Sequence, residues 1–332
     1  MVDIYAQFGA YYGDVVIIHR NTLIALFALG LLGLGVPLVA AQGSGIQYQH
    51  SAGIVTLETE DLSLRITGVN EVPHFHWWDP DSPTVDYHVM FVKFFEVNDT
   101  DSNGVYDIDS DVMVGPPLAL PTTDWEFSGF ELEQEGDSVT AVHFNFTSTE
   151  EHEPRPLDAS ESYGNLPEIE PFDVMIQIRV HIDLENPGEM KFDLIVEGWQ
   201  WTFDDTLLVF HFTVTESNHG VSQTGTDPTN FHHTETKFSF GNGYMEYIET
   251  ALAAQNTLEV KASYGEGTAL EAGESVYLAF ENFGDETLEY DPILGIEPSA
   301  SGVDILLANL PLIGAGALVA VVIAAIVLKL KK

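Results

Sequence analysis

No cysteine occurs among the 332 residues. That absence removes disulfide cross-links, thiolate zinc and iron–sulfur sites, blue-copper centres and any cysteine nucleophile. Basic residues are nearly as scarce: 11 Lys and Arg stand against 52 Asp and Glu, for a formal net charge of −41. A phosphate backbone needs cationic partners, so this balance argues against nucleic acid, and 12 His do not reverse the sign near neutral pH. The nucleophile elbow G-x-S-x-G, the phosphate loop and H-E-x-x-H are also missing, and no enzyme is expected. What remains is 45% hydrophobic residues with 11% aromatics. That is too apolar for a disordered acidic tail, so the acid is expected to coat a folded core.

Two long apolar runs lie near the ends. Leu23 to Ala41 contains no ionisable residue and follows His19 and Arg20. Val39 and Ala41 suit the small-residue positions of a signal-peptidase boundary, with Gln42 starting the mature chain. The segment 1–41 therefore reads as a signal peptide, or as a retained N-terminal membrane segment, since Asp3 and the lack of an early cation are unusual for a signal. Leu310 to Leu328 is uncharged over nineteen residues, and at 1.5 Å per residue it would span about 28 Å as a helix, matching a hydrocarbon core. Lys329, Lys331 and Lys332 follow it directly. By the positive-inside rule this predicts a transmembrane helix over 305–328, a short basic cytoplasmic tail over 329–332, and an extracellular region over 42–304 at the cell membrane.

Between these runs the dominant period is two. Phe172, Val174, Ile176, Ile178, Val180, Ile182 and Leu184 alternate with Asp173, Gln177, Arg179, His181 and Asp183, the pattern of a strand with one face in a core. Glu185 to Gly188 then turns the chain into 190–197, which predicts a hairpin. Similar alternation over 53–60, 62–68, 85–97, 139–147, 207–215, 234–240, 258–264 and 276–283 gives about ten strands without crossover helices. The expected class is all-β, an antiparallel β-sandwich of one large or two small units. Only 243–254 reads as potentially helical, and 150–171 reads as a long surface loop. Two sequons, at Asn98 and Asn145, fit an exported glycoprotein.

One motif carries specific chemistry. Asp99, Asp101 and Asn103 occupy positions one, three and five of a calcium loop, and Gly104 stands at six, where the chain must bend sharply. The carbonyl of Val105 would serve position seven and Asp107 position nine. The bidentate Glu of an EF-hand at position twelve is replaced by Ser110 between Asp109 and Asp111. Alternate short oxygen side chains are what a hard cation needs, so Asp99, Asp101, Asn103, Val105, Asp107, Asp109 and Asp111 form the candidate calcium ligand set, of weak affinity. Over about thirteen residues this loop resembles the helix-free calcium loops of dockerin-like and thrombospondin type-3 modules. The whole arrangement resembles uncharacterised archaeal cell-surface, membrane-anchored β-sandwich proteins. That resemblance implies location and build, a calcium-stabilised envelope protein tethered by one anchor, and implies no activity.

Two weaker constellations remain. His74 and His76 share one side of an extended strand, and His88, His211, His232 and His233 could join them to hold zinc or copper. Trp77-Trp78 and Trp199-Gln-Trp201 invite a carbohydrate-binding reading in which paired rings stack on a surface glycan. Parity decides it: with Phe192, Leu194 and Val196 in the core, Trp199 and Trp201 face outward unless Gly198 sits in a bulge, which is where glycine is expected.

Overall fold

The computed structural model describes residues 45–68, 71–152, 170–218, 231–234, 236–266 and 273–297. The expected signal segment, the expected transmembrane helix with its lysine tail, and residues 153–169 of the expected 150–171 loop lie outside the described residues, whereas 150–152 are strand rather than loop. No helix among the described residues is long and apolar enough to cross a membrane.

The described residues form an antiparallel all-β structure of twenty-one strands. It opens with a meander of β1 (Gln47–Ser51), β2 (Ile54–Glu58), β3 (Ser63–Thr67), β4 (His74–Trp78) and β5 (Val85–Asn98), each paired with the next. The short β6 (Val112–Met113) and β7 (Leu118–Ala119) return to the far half of β5. A second sheet starts with β8 (Glu126–Phe127), β9 (Glu131–Glu135), β10 (Ser138–His152), β11 (Phe172–Asp183) and β12 (Glu189–Glu197). The chain then crosses back as β13 (Leu207–Asn218), which pairs with β5 along its full length.

The remaining strands are β14 (His232–His233), β15 (Lys237–Phe240), β16 (Gly243–Glu246), β17 (Thr250–Ala253), β18 (Asn256–Glu266), β19 (Glu274–Glu281), β20 (Leu288–Tyr290) and β21 (Ile293–Ile296). Both β20 and β21 pair with β12 in the second sheet, and β19 pairs with β13 in the first. Strand β18 belongs to both sheets: its first half pairs with β17 and its second half with β19.

Alternation explains how the two sheets meet. Along β11, Phe172, Val174, Ile176, Ile178, Val180 and Ile182 are all buried, while the residues between them are exposed or half-buried. The inward rings of the two sheets interlock across the gap. Phe75 and Phe91 of the first sheet lie 6.3 and 5.8 Å from Phe192 of the second, Trp77 lies 5.8 Å from Phe240, and Phe212 lies 6.2 Å from Phe238. Each large aromatic removes a great deal of apolar surface from water, and such pairs add directional contact energy beyond area.

Strand β5 feeds two apolar clusters, one on each face, for a local reason. Lys93 pairs with His211 but Phe91 pairs with Phe212, so Val92 is an extra residue in a bulge. Before the bulge Val89 and Phe91 point into the main core. After it Phe94 points inward, and Phe95 and Val97 join a second cluster with Tyr106, Leu207, Val209, Tyr277 and Ala279 on the opposite face.

The expected helix over 243–254 is not formed; that stretch makes β16, a turn and β17. In β17 Ala251 and Ala253 are buried while Thr250 and Leu252 are exposed, a period of two that the helix-favouring alanines conceal. In β16 Gly243 lies against Tyr87, whose ring a Cβ would meet at 2.8 Å. Pairing with β21 and β15 decides the conformation there.

Trp199 faces inward, as the bulge alternative required, but Gly198 lies just past the end of β12 and the β11–β12 register is continuous to Glu197. Gly198 has φ +83°, and Trp199 turns into the core, where its ring stacks on His152 at 5.5 Å. A Cβ at Gly198 would sit 2.5 Å from the Asp173 carbonyl oxygen. Gly198→Ala is therefore expected to lower stability by about 1–3 kcal/mol, read as a lower urea midpoint with an unchanged m-value.

Candidate functional site

The Asp-rich loop joins β5 to β6 and closes on itself through its own carboxylates. Gly104 adopts φ +76° and donates its N–H to Asp99 Oδ2 at 2.7 Å, the sharp bend expected at position six. The Asn103 N–H reaches Asp99 and Asp101 at 3.3 Å, and its side-chain amide donates to Asp101 Oδ2 at 2.9 Å. Asp111 returns from the far end to accept from the Thr100 N–H at 3.0 Å and the Asp107 N–H at 2.8 Å.

One carboxylate oxygen from each of Asp99, Asp101 and Asp111 lies within 4.8 Å of the others. Of the seven predicted ligands, then, three acids are gathered, with Asn103 bonded to one of them. Asp107 instead accepts from the Asp109 N–H, and its carbonyl accepts from the Asp111 N–H. This small turn carries Asp111 inward and leaves Asp109 exposed. Burial works against ionisation of Asp99, but hydrogen bonds led by the Gly104 N–H outweigh it and hold the carboxyl below its usual range.

The loop is tied to the sheet behind it. The Tyr106 ring packs edge-on against Phe95 at 5.2 Å and Tyr277 at 5.0 Å, closing the second apolar cluster. Burial and neighbouring negative charge push its hydroxyl up to about 12. Lys261 Nζ donates to the Asn103 carbonyl at 2.7 Å. Glu96, buried at the root of the loop, accepts from the N–H groups of Thr202 and Phe203 and from the Thr206 hydroxyl, so the 202–206 turn is clamped to β5. Spacing in the sequence does not reveal Tyr106, Lys261 or Glu96, because their partners are distant in the chain.

The six predicted histidines divide. Phe75 and Trp77 of β4 point into the core, so His74 and His76 point outward, and His88 of β5 stands directly opposite His76. One ring nitrogen from each of the three lies within 4.8 Å of the others. Asp86 Oδ2 lies 3.6 Å from His76 Nδ1 and 3.8 Å from His88 Nε2, which also bonds Ser217 Oγ at 2.8 Å. Burial, reinforced by the neighbouring rings, lowers the pKa of His74 to about 3 and that of His88 to about 4. His232 and His233 lie exposed on β14, and His211 is buried elsewhere, stacked on Tyr277 at 4.4 Å and bonded to Ser275 Oγ at 3.0 Å.

A second histidine row escaped the sequence reading. His143 Nδ1 meets His181 Nδ1 at 2.8 Å, His181 Nε2 meets Asp193 at 3.0 Å, and Glu133 lies 3.4 Å from His143 Nε2. Cross-strand register brings these together from β9 to β12, a relation that a linear pattern does not express.

The tryptophan pairs do not form a platform of adjacent exposed rings. Trp77 and Trp199 are buried, whereas Trp78 and Trp201 are half-buried. Trp201 packs on Phe283 and donates its indole N–H to the Gly284 carbonyl at 3.1 Å. Asn145 is half-buried between the buried Phe144 and Phe146, on the outer side of β10.

No protein-family model and no curated protein matches this chain. Among solved structures, it is similar to an alpha-mannosidase from Enterococcus faecalis V583, at 12% identity and TM-score 0.40, over 78% of this chain and 31% of that one. It is similar also to the heparan sulfate lyase HepC from Pedobacter heparinus, at 10% identity and TM-score 0.40, over 85% of this chain and 42% of that one. A third is the heparinase III BT4657 gene product, at 10% identity and TM-score 0.35, over 78% and 35%. The chain thus spans well under half the length of these proteins. At such values the likeness says nothing of this chain's chemistry.

His211 supplies a prediction. Burial, with the Lys93 charge adding to it, lowers its pKa from 6.5 to about 3. Between those values the unfolded chain binds a proton that the folded chain refuses, so stability rises with pH through this window and is complete above about 6.5. The urea midpoint should fall as pH is lowered from 7 to 4, and His211→Gln should show a shallower fall.

Proposed function

We propose that this chain is a membrane-tethered structural or interaction protein of the cell envelope, with its sandwich outside the bilayer and its Asp-rich loop stiffened by calcium. The observation that carries the calcium reading is the convergence of Asp99, Asp101 and Asp111 to within 4.8 Å in a loop seated on the sheet by Tyr106 and Lys261. Three carboxylates so close repel one another, and a divalent ion between them would turn that repulsion into attraction. The seating of Tyr106 would pass the gain to the second apolar cluster. In a chain with no disulfide, such an ion is a means of holding a long connection in place.

The tether and the location rest on the apolar run at 310–328 and the lysines behind it. The acidic surface suits an exported, self-repelling coat that must stay hydrated. A role without catalysis is supported by the lack of any recognisable catalytic motif in the sequence.

With a dissociation constant of about 10⁻⁴ to 10⁻³ M, ~10 mM calcium should stabilise the purified full chain by roughly 1.4–2.7 kcal/mol. The melting temperature should then exceed that in EGTA by several degrees, and Asp99→Ala/Asp101→Ala should abolish the difference. Equal melting temperatures in calcium and EGTA would defeat the calcium reading. The placement has its own test: protease added to intact cells should degrade the sandwich region, and full protection in cells lacking an outer barrier would show the opposite topology.

A further inference from the structure

We infer that His74, His76 and His88, with Asp86 beside them, form a binding site for one zinc(II) or copper(II) ion on the outer face of the first sheet. The backbone sets the arrangement. His74 and His76 stand two apart on β4 and therefore share a face, and His88 is the direct cross-strand partner of His76. Asp86, two residues before His88, falls on the same face of β5. Three imidazoles at the corners of a small triangle, with a carboxylate at one edge, are the donor set that borderline late first-row ions prefer.

Ring geometry separates this cluster from the other histidines. His211 and His233 lie nearly parallel to tyrosine rings, at 21° and 24°, as packing elements do. His143 and His181 direct ring nitrogens at each other and at Glu133 and Asp193. In the outer-face cluster the rings are tilted by 43–56° with centroids 4.2–5.3 Å apart, so they neither stack nor bond one another. The His74 ring makes no hydrogen bond to any described residue. Ser217 holds the His88 ring from the side of β13, the outer contact that orients a metal-binding imidazole.

Charge points the same way. Three neutral ligands leave the ion's charge uncompensated, and Asp86, 3.6 and 3.8 Å from two of the ring nitrogens, supplies a negative partner. Bonds of about 2.0–2.1 Å place tetrahedral ligands roughly 3.3 Å apart, so the triangle would tighten by side-chain rotation. Arg65 stands opposite His76 on β3, but it is exposed and free to extend into water. The net charge of −41 raises the local concentration of any cation. This site is independent of the calcium loop, and either could fail without the other.

The test loads the chelator-stripped full chain with zinc or copper in separate arms and measures bound metal and affinity. One equivalent of either ion per chain is expected, and the arm that retains it identifies the ion. His76→Ala, in a half-buried position, should remove that equivalent, as should His74→Gln, a second variant should the first fold poorly. Asp86→Asn should weaken binding about 10- to 100-fold. Asp99→Ala/Asp101→Ala and His232→Ala/His233→Ala should retain the equivalent. Cobalt(II) added to wild type should give the intense visible absorption of a tetrahedral site, absent in His76→Ala. No uptake by folded wild type, or equal uptake by wild type and both histidine variants, would overturn the site.

Discussion

Two sheets whose facing sides carry aromatic and aliphatic side chains must stay together for anything else here to exist. With no disulfide to close the chain, the contact of Phe75 and Phe91 with Phe192, and of Trp77 with Phe240, carries the association. Strand β18 adds a covalent hinge by pairing first with one sheet and then with the other. Among the described residues most acids lie where water screens them, and the buried Glu96 is held by the N–H groups of Thr202 and Phe203 and the Thr206 hydroxyl. Charge inside this seam would oppose the burial that drives folding.

Both metal-binding candidates follow from how the seam disposes of strand faces. Where β4 and β5 send Phe75, Trp77, Tyr87 and Val89 inward, the alternate positions must face out, and those positions hold His74, His76, Asp86 and His88. Further along β5 the bulge at Val92 reverses the assignment. Phe95 and Val97 then become an apolar patch on the outer face, and the Asp-rich loop lies across it with Tyr106 as its anchor. The loop's acids and its anchor are separate in chemistry but joined in mechanics, because displacing Tyr106 would expose that patch.

The strands were legible because their chemistry is local. Period-two alternation marks 172–184 and its hairpin partner directly, and the observed pairing of β11 with β12 follows that pattern. The calcium spacing was legible for the same reason: Asp99, Asp101, Asn103 and Gly104 act through neighbouring backbone, and Gly104 does make the bend. At 243–254 local propensity misleads, since alanines and a glycine pressed against Tyr87 are recruited as strands by partners far away in the chain.

Composition and short-range pattern settle the all-β class, the exclusion of thiol chemistry and the bend of the Asp-rich loop at Gly104, because each depends on composition or on residues within a few positions of one another. The folded structure settles which three of six histidines meet, through the pairing of β4 with β5, and that Trp199 turns inward at Gly198. Those outcomes depend on register, and a shift of one residue exchanges every buried side chain for its exposed neighbour. Only the assembled sheets hold that register in place.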